Sequence, residues 1–303
     1  SIDAAGTLDV EAVAKADATM RVLSTLVGVG YGETDANAKV NIGIATLGAG
    51  GAMTLRAQAD SNLLVEVDTV NTGKFNNAAS NASQYADFAF AIGKGKQVAE
   101  AIVGPNATIT RADSLTVEAT GEKSQSVASS GGAYKDGTAS AGVSVSISDT
   151  TLTARLGGSV NADQVTVKAA LADGASSEVS ASAGTAGSPD LQEAITSAKP
   201  VDEILFEKLS DFVAKAPKTD ERSGNSAKLG VAAAFAWVEN TNSVTAEVAP
   251  SAHVTTPGAL NILAAAEESI SFETSAAVDE RDLEKKAEGD SKTAEDKKKI
   301  AAS

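Results

Sequence analysis

The sequence predicts an all-β protein, an elongated right-handed parallel β-helix (a β-solenoid) with α-helical and loop insertions at one corner. Three observations predict this fold class. A unit of two alternating apolar–polar runs recurs along the chain. The separation of the two runs within a unit is nearly constant, whereas the separation between units varies widely. Aromatic residues make up only 4% of a chain that is 43% hydrophobic, which favours a narrow core of small aliphatic side chains.

The repeated unit is clearest at 244–264, which reads VTAEVAPSAHVTTPGALNILA, and it recurs at 98–119 and 152–169 with a looser copy at 40–57. Each copy has an alternating run, a turn, a small apolar pair, a second turn and another alternating run. Strict alternation places every second side chain on one face, which is the period of a β-strand. A unit repeated in this way indicates coils stacked along one axis.

The second run of each unit is predicted to be an anchor strand, whose apolar side chains point inward and stack from coil to coil. These anchors are Leu8/Val10, Met53/Leu55, Leu115/Val117, Val165/Val167 and Leu260/Ile262, each with an alanine two positions later. The first runs are predicted to be partner strands that end at Val40, Val103, Leu156 and Val248. A nearly fixed corner therefore separates partner from anchor, and a variable corner follows the anchor.

Two further strands are predicted between each anchor and the next partner, for example at 177–183 and 229–238. A related run with Gly, Ala or Ser at alternate positions recurs at 87–92 and 141–147. Small side chains at alternate positions allow neighbouring backbone layers to approach closely. The predicted architecture is thus a solenoid over 1–279 whose variable corner accepts insertions.

The largest insertion, 187–224, is predicted to contain an α-helix. Ser188, Pro189 and Asp190 suit its N-terminus, and Pro217 would end it. From residue 201 the apolar positions fall on one helical face, at 201, 204, 205, 209, 212 and 213. Two interpretations stay open for this helix, which either packs on its own solenoid or binds a partner.

Two other segments are predicted at the same corner. Residues 71–83 form an Asn-rich polar insertion. The tail, 280–303, carries charges of both signs and few apolar residues, which is typical of a helical or a disordered segment. The chain also starts and stops within repeat-like sequence, and we expect it to be part of a longer protein.

Composition restricts the classes of partner. The chain of 303 residues has a net charge of −15, which argues against nucleic acid and against anionic membrane surfaces. The chain has no cysteine, which excludes disulfides and thiolate metal sites but not secretion. No run approaches the roughly 20 apolar residues of a transmembrane helix, so direct membrane insertion is not expected.

No catalytic, cofactor-binding or metal-binding residue is predicted. Glycoside hydrolysis needs two carboxylates at a set separation. Outward positions instead vary in charge, as with Glu118 and Lys168, or Glu11 and Arg56, which fall at equivalent points of different repeats. The lone His253 cannot build a zinc site of several histidines and is expected on the surface.

Glycine-rich and acidic stretches also lack a recognised site. The segments 28–32 and 93–96 match no phosphate-binding motif and are predicted to be turns. The acidic segments 35–37 and 279–282 lack the spacing of a calcium loop. Weak surface binding of calcium is the most that the acidic composition supports.

Aromatic residues pair on the small-residue strands. Phe235 and Trp237 alternate on one face, and Phe88 and Phe90 occupy the matching place in another unit. Large aromatic side chains at such positions favour filling the core or covering an insertion. A platform on which carbohydrate rings stack is the alternative.

The unit ending in L-x-V-x-A resembles repeats of giant secreted bacterial adhesins, the filamentous, haemagglutinin-like proteins with long β-helical stalks. The matching segments are 99–119, 153–169 and 245–264, with a looser copy at 38–57. The resemblance implies export to the cell surface and roles in attachment, aggregation or biofilm. It carries over no catalytic residues, and the helical insertion and the Lys/Glu-rich tail depart from a smooth rod.

We therefore expect a structural and adhesive stalk segment of a large bacterial cell-surface or secreted protein, and not an enzyme. Its partners would be a host or neighbouring cell surface, a polysaccharide or another copy of itself. Two alternatives stay open, a self-assembling extracellular filament subunit and a polysaccharide-active β-helix enzyme.

Overall fold

The computed structural model describes residues 1–24, 27–70, 86–132, 139–185 and 231–278, and these residues form an all-β fold without a helix. The strands are grouped below by the coil to which they belong. The first coil contains β1 (Ile2–Ala4), β2 (Leu8–Ser24) and β3 (Val27–Ile42), and the second contains β4 (Thr46–Ala49), β5 (Ala52–Val70) and β6 (Ala86–Val103). The third contains β7 (Thr108–Arg111), β8 (Ser114–Gly132) and β9 (Ala139–Leu156). The fourth contains β10 (Ser159–Asn161), β11 (Gln164–Leu171), β12 (Ser176–Thr185) and β13 (Val231–Val248), and the fifth contains β14 (His253–Thr255), β15 (Leu260–Ala265) and β16 (Ser269–Val278).

Strands from successive coils pair in parallel and build three sheets in the described part of the chain. Sheet A contains the short strands, in the order β1-β4-β7-β10-β14. In sheet B, β2 pairs with β5 and β5 with β8. The long strand β8 then pairs with two shorter strands, β11 and β12, which pair in turn with β15 and β16. Sheet C has the order β3-β6-β9-β13. The chain visits A, B and C in the same order in the first four coils, and A and then B in the described part of the fifth, a path compatible with a parallel β-helix or solenoid.

The anchor residues form columns that run through sheet B in the predicted register. One column contains Leu8, Met53, Leu115, Val165 and Leu260 in successive coils. A second column, offset by two residues, contains Val10, Leu55, Val117, Val167 and Ile262. In both columns, the side chains contributed by the second, third and fourth coils are at most 1% exposed.

Burial at the two outer coils is incomplete. Leu8 and Val10 are partly buried against the core. Leu260 and Ile262 are 44% and 48% exposed, although they continue the same columns. The fifth coil therefore stacks in the predicted columns but stays exposed, because no described coil covers its outer side.

Strands in sheets B and C are longer than the repeat pattern predicts. The anchor and the run after it form one strand of 17 residues in β2 and of 19 residues in β5 and β8. In sheet C, the small-residue run and the partner run likewise merge into single strands. The predicted division was wrong because alternation continues through these segments. Only the fourth and fifth coils break sheet B, the fourth near Gly174, whose φ of +90° places it in the left-handed region that favours glycine.

Two local predictions also need correction. The first partner strand ends at Ile42 and not at Val40, since Ile42 pairs with Val103. The glycine-rich segments 28–32 and 93–96 lie within β3 and β6 and are not turns. Their inward glycines face sheet B at close range, and a Cβ on Gly93 would lie 2.5 Å from Cγ2 of Val127. Glycine therefore serves here to bring sheets B and C together.

The buried interior contains two apolar clusters. The larger lies between all three sheets and includes Leu47, Leu55, Val103, Val117 and Leu156. The smaller lies between the far halves of sheets B and C, with Leu63, Val65, Val67, Ala89, Ala91, Val127 and Val179. Buried polar side chains separate the two clusters. The interior is thus narrow, as the low aromatic content predicts.

The described strands also locate the variable corner. The chain leaves sheet B and enters sheet C on either side of residues 71–85, 133–138 and 186–230. These segments therefore attach at the same corner of the coil. The polar insertion 71–83, the helix predicted within 187–224 and the tail 280–303 lie outside the described residues.

Replacing Val167 by aspartate tests the inward register. Val167 is fully buried in the larger cluster, so an aspartate there would lose its hydration without gaining a partner. We expect the free energy of unfolding to fall by several kcal/mol. Thr166→Asp, at the next, outward-facing and partly exposed position, is the matched control. Equal thermal stability of the two variants would contradict the register.

Replacing Gly142 by alanine tests the close approach of sheets B and C. A Cβ on Gly142 would overlap the backbone carbonyl of Ser182, and backbone cannot move aside as a flexible side chain can. We expect a loss of about 1–3 kcal/mol, the usual cost of overpacking. A Cβ on Gly43 would meet nothing within 4 Å, so Gly43→Ala is the control. Chemical denaturation of both variants is the measurement.

Candidate functional site

The outward face of sheet B carries a column of charges that alternate in sign. Glu11, Arg56, Glu118 and Lys168 occupy equivalent positions in four successive coils. Arg56 lies 3.7 Å from a carboxylate oxygen of Glu11 and 3.7 Å from one of Glu118. Nζ of Lys168 lies 2.9 Å from Oε1 of Glu118. Each coil therefore meets an opposite charge on the coil beside it.

Similar ion pairs join neighbouring coils elsewhere on the surface. They are Lys15–Asp60, Arg21–Glu66, Lys39–Glu100, Lys94–Glu33 and Arg155–Glu247, with N–O distances between 2.9 and 3.8 Å. Lys15–Asp60 differs from the others, since the side chain of Asp60 is only 4% exposed. An exposed pair such as the other four contributes about 0–1 kcal/mol. Their role is mainly to order long side chains across the coils and to limit repulsion in an acidic chain.

Two carboxylates on this face are the pair that comes nearest to the two acids of a glycosidase. Glu11 and Glu118 lie two coils apart, which places their strands about 10 Å from each other. Arg56 lies between them and contacts both. A glycosidase pair must flank the sugar bond that it cleaves, and here the guanidinium of Arg56 occupies the space between the two carboxylates. This arrangement gives no support to a hydrolytic site.

The outward face of sheet C is apolar next to the variable corner, and we call it the apolar face. Its twelve residues are Val27, Val29, Tyr31, Phe88, Phe90, Ile92, Ala141, Val143, Val145, Ala233, Phe235 and Trp237, which pair in register across the four strands. The rings of Phe88 and Phe90 are 6.5 Å apart. Exposure ranges from 1% at Val145 to 49% at Tyr31.

The sequence left three roles open for the aromatic residues: filling the core, covering an insertion or stacking on carbohydrate rings. The structure bears on the first of these. Phe88, Phe90, Phe235 and Trp237 point away from both apolar clusters, so they do not fill the described core. The segment 186–230 leads directly into β13, which carries Phe235 and Trp237. That an insertion covers this face stays a prediction, as does carbohydrate stacking.

Buried polar side chains form a layer between the two clusters. Thr34 and Ser61 share a hydrogen bond of 2.8 Å across sheets C and B. Gln125 donates to the backbone carbonyls of Gly93 and Ile147, each at 3.2 Å. Gln97 donates to the carbonyl of Glu122 at 2.7 Å. These partners compensate the cost of removing amide and hydroxyl groups from water.

At one end of this layer lies a buried ion pair. Nζ of Lys123 is 2.6 Å from Oε1 of Glu268, and the two side chains are only 3% and 5% exposed. Oε1 also accepts hydrogen bonds from Ser177 at 2.7 Å and Asn240 at 2.8 Å, and Oε2 accepts one from Asn242 at 2.7 Å. We call Lys123, Ser148, Ser177, Asn240, Asn242 and Glu268 the Lys123 cluster.

Both ionisable groups of the Lys123 cluster are perturbed. Burial lowers the pKa of Lys123 below its ordinary value, and the hydrogen bond and charge of Glu268 only partly oppose this effect. Burial acts to raise the pKa of Glu268, but hydrogen bonds from Lys123, Asn242 and Ser177 and the charge of Lys123 hold that pKa below its ordinary value. The amine of Lys123 therefore loses its proton more easily than an exposed lysine.

The position of Lys123 in the alternating pattern of β8 could have predicted its burial from the sequence. Lys123 continues the inward alternation from Leu115 and Val117 through Gly121 to Val127. A charged residue at an inward position of a strand predicts a buried partner. Glu268, by contrast, lies in the link between β15 and β16. This link has no alternating pattern from which the direction of its side chain could be predicted.

Asp87 is a buried acidic residue whose charge, unlike that of Glu268, is not compensated. It is 0% exposed, and neither carboxylate oxygen has a hydrogen-bond partner in the described part of the protein. Burial raises the pKa of Asp87 from the ordinary 3.8 to about 7. Asp87 therefore holds its proton in mildly acidic solution.

The remaining candidates from the sequence do not form a site. His253 lies exposed on β14, as expected. In the five described ranges, no group of three or more His, Asp or Glu residues is arranged to hold a metal ion. The acidic segment 35–37 lies in β3, and 279–282 falls outside the described residues. The described ranges also contain no helix that could cross a membrane.

No family model, curated protein or solved structure matches this chain. The likeness to adhesin repeats therefore depends on the repeated motif alone.

The raised pKa of Asp87 predicts a dependence of stability on pH. As pH rises above 3.8, the unfolded chain releases this proton while the folded protein retains it up to about 7. The contribution of Asp87 to the free energy of unfolding therefore falls across that interval. We expect Asp87→Asn to remove this fall and to be more stable than the wild type at pH 8 by about 1–3 kcal/mol.

Denaturation with urea at several pH values measures this difference. Asp9→Asn, which removes one exposed carboxylate, controls for the change in net charge. Parallel pH profiles for the wild type and Asp87→Asn would show that the pKa of Asp87 is the same in the folded and unfolded protein, which would contradict the prediction.

Proposed function

We propose that this chain is a structural and adhesive stalk segment of a large bacterial cell-surface or secreted protein, built as a right-handed parallel β-helix. The observation that carries the proposal is the register of sheet B, in which equivalent residues stack through five coils. Such stacking extends a core coil by coil, without the size limit of a closed globule. A rod of this kind suits projection away from a cell.

The surface supports binding at many weak sites. Ion pairs repeat along the coils, and the apolar face spans all four strands of sheet C. A partner that repeats as well, such as a polysaccharide, a cell surface or a second copy of the chain, gains strength from several simultaneous contacts. The net charge of −15 and the absence of cysteine fit a secreted protein.

The enzyme alternative finds less support in the described residues. A polysaccharide-active β-helix needs acids that converge on one outer face, and here Arg56 separates Glu11 from Glu118. The buried Asp87 faces the interior and not the surface. We expect no turnover of polysaccharides or esters by the purified protein.

Display on a non-adherent bacterial cell tests the function. Cells that carry this segment should aggregate, or stay on a surface, more than cells that carry an unrelated β-helical rod of similar length. High salt should weaken retention if charged sites contribute, because it screens exposed charges. A chelator should weaken it only if calcium bridges acidic sites.

Two variants separate the candidate faces. Val29→Glu changes the apolar face at a residue that is 44% exposed. Lys168→Gln changes the charged column of sheet B and leaves the apolar face intact. Retention equal to that of the unrelated rod would contradict an adhesive role and leave a passive spacer.

A further inference from the structure

The Lys123 cluster brings an amine, a carboxamide and a carboxylate into one buried place. Lys123 points inward from β8, Asn240 points inward from β13, and Glu268 enters from the link between β15 and β16. They come from the third, fourth and fifth coils. A buried ion pair is often no more stabilising than apolar residues of similar volume. Stability alone therefore does not explain the ion pair, and the carboxamide of Asn240 beside it suggests a chemical role.

Two bridges hold the Lys123 amine opposite the carboxamide of Asn240. On one side, Oε1 of Glu268 accepts from Nζ of Lys123 at 2.6 Å and from Nδ2 of Asn240 at 2.8 Å. On the other side, Nζ of Lys123 donates to the hydroxyl of Ser148, which donates to Oδ1 of Asn240 at 2.8 Å. These contacts close a hydrogen-bonded ring that holds Nζ of Lys123 beside the carboxamide of Asn240.

We propose that Lys123 and Asn240 become joined by an intramolecular isopeptide bond, formed with Glu268 as the catalytic acid and base. The bond links Nζ of Lys123 to Cγ of Asn240. It ties the third coil in sheet B to the fourth coil in sheet C across the interior.

The reaction needs no group beyond those in the cluster. The Glu268 carboxylate takes a proton from the Lys123 ammonium, and the neutral amine attacks Cγ of Asn240. The Cγ–Nδ2 bond then breaks, and the nitrogen leaves as ammonia. The Lys123 nitrogen loses two protons in all. One goes to the leaving nitrogen and one stays on Glu268, so the buried product carries no charge.

The groups around Lys123 and Asn240 favour the formation of this bond. The hydroxyl of Ser148 donates to Oδ1, where negative charge develops as the amine attacks. Glu268 contacts both the nitrogen that attacks and the nitrogen that leaves, as an acid–base group must. The lowered pKa of Lys123 makes the neutral amine more accessible. The fixed strands hold the reacting groups together without further loss of freedom.

Asn240 is the electrophile, and Asn242 is a positioning residue. Asn242 is exposed, and its Nδ2 donates to the other oxygen of Glu268, Oε2, at 2.7 Å. It has no bridge to Lys123 through Ser148. Asn240 lies in the same column as Thr34, Gly95 and Ser148, whose smaller side chains leave space for the long side chain of Lys123.

The mass of the purified, folded protein tests the proposal without any variant. The expected mass is lower than that of the sequence by one molecule of ammonia. Trypsin should fail to cleave after Lys123, since its amine is acylated, and should release a branched peptide that joins the segments of Lys123 and Asn240. A folded protein with the full sequence mass would overturn the proposal, and so would a branch at Asn242.

Variants locate the reaction. Glu268→Gln and Lys123→Met should both show the full mass, with folding checked by circular dichroism. Lys168→Met is the matched control, since it removes a lysine that also pairs with a glutamate but lies 41% exposed on the outer face. It should still lose ammonia. Loss of ammonia that persists in Lys123→Met would come from cyclisation of an asparagine and would also overturn the proposal.

Discussion

The constraint on which the rest of this structure depends is the register of parallel strands between coils. A strand has a side-chain period of two, so a slip of one residue would exchange the inward and outward faces of a whole coil. In the described residues, Leu8 aligns with Met53 and Leu115 along sheet B without such a slip. Backbone hydrogen bonds join each strand to the next coil, and the apolar columns determine which pairing is adopted.

The same register decides where polar groups meet. A charged residue at an outward position finds its neighbour on the adjacent coil, as Arg56 finds Glu11 and Glu118. A charged residue at an inward position must find its partner inside a narrow interior. Lys123 does so through Glu268, whereas Asp87 finds no partner among the described residues and its pKa rises to about 7. Burial thus acts on both acids, but only Glu268 has a partner for its charge.

The sequence predicted the columns of sheet B well, because Leu-x-Val-x-Ala segments such as 115–119 repeat both spacing and side-chain type. It predicted strand lengths poorly, since alternation alone does not show where a strand must end. Glycines 28, 30 and 32 suggested a turn, although they serve the close approach of two sheets. The cluster around Lys123 could be predicted only in part, because Glu268 reaches it from two coils away through a link without periodicity.

The alternating column on sheet B has a consequence for how such a chain can change in length. Repeat proteins gain and lose units by recombination. Excision of the second coil would place Glu11 beside Glu118, and excision of the third would place Arg56 beside Lys168. Excision of both together would leave Glu11 facing Lys168. Electrostatics therefore disfavours gain or loss of a single coil relative to a pair of coils, by about 0–1 kcal/mol for each exposed pair.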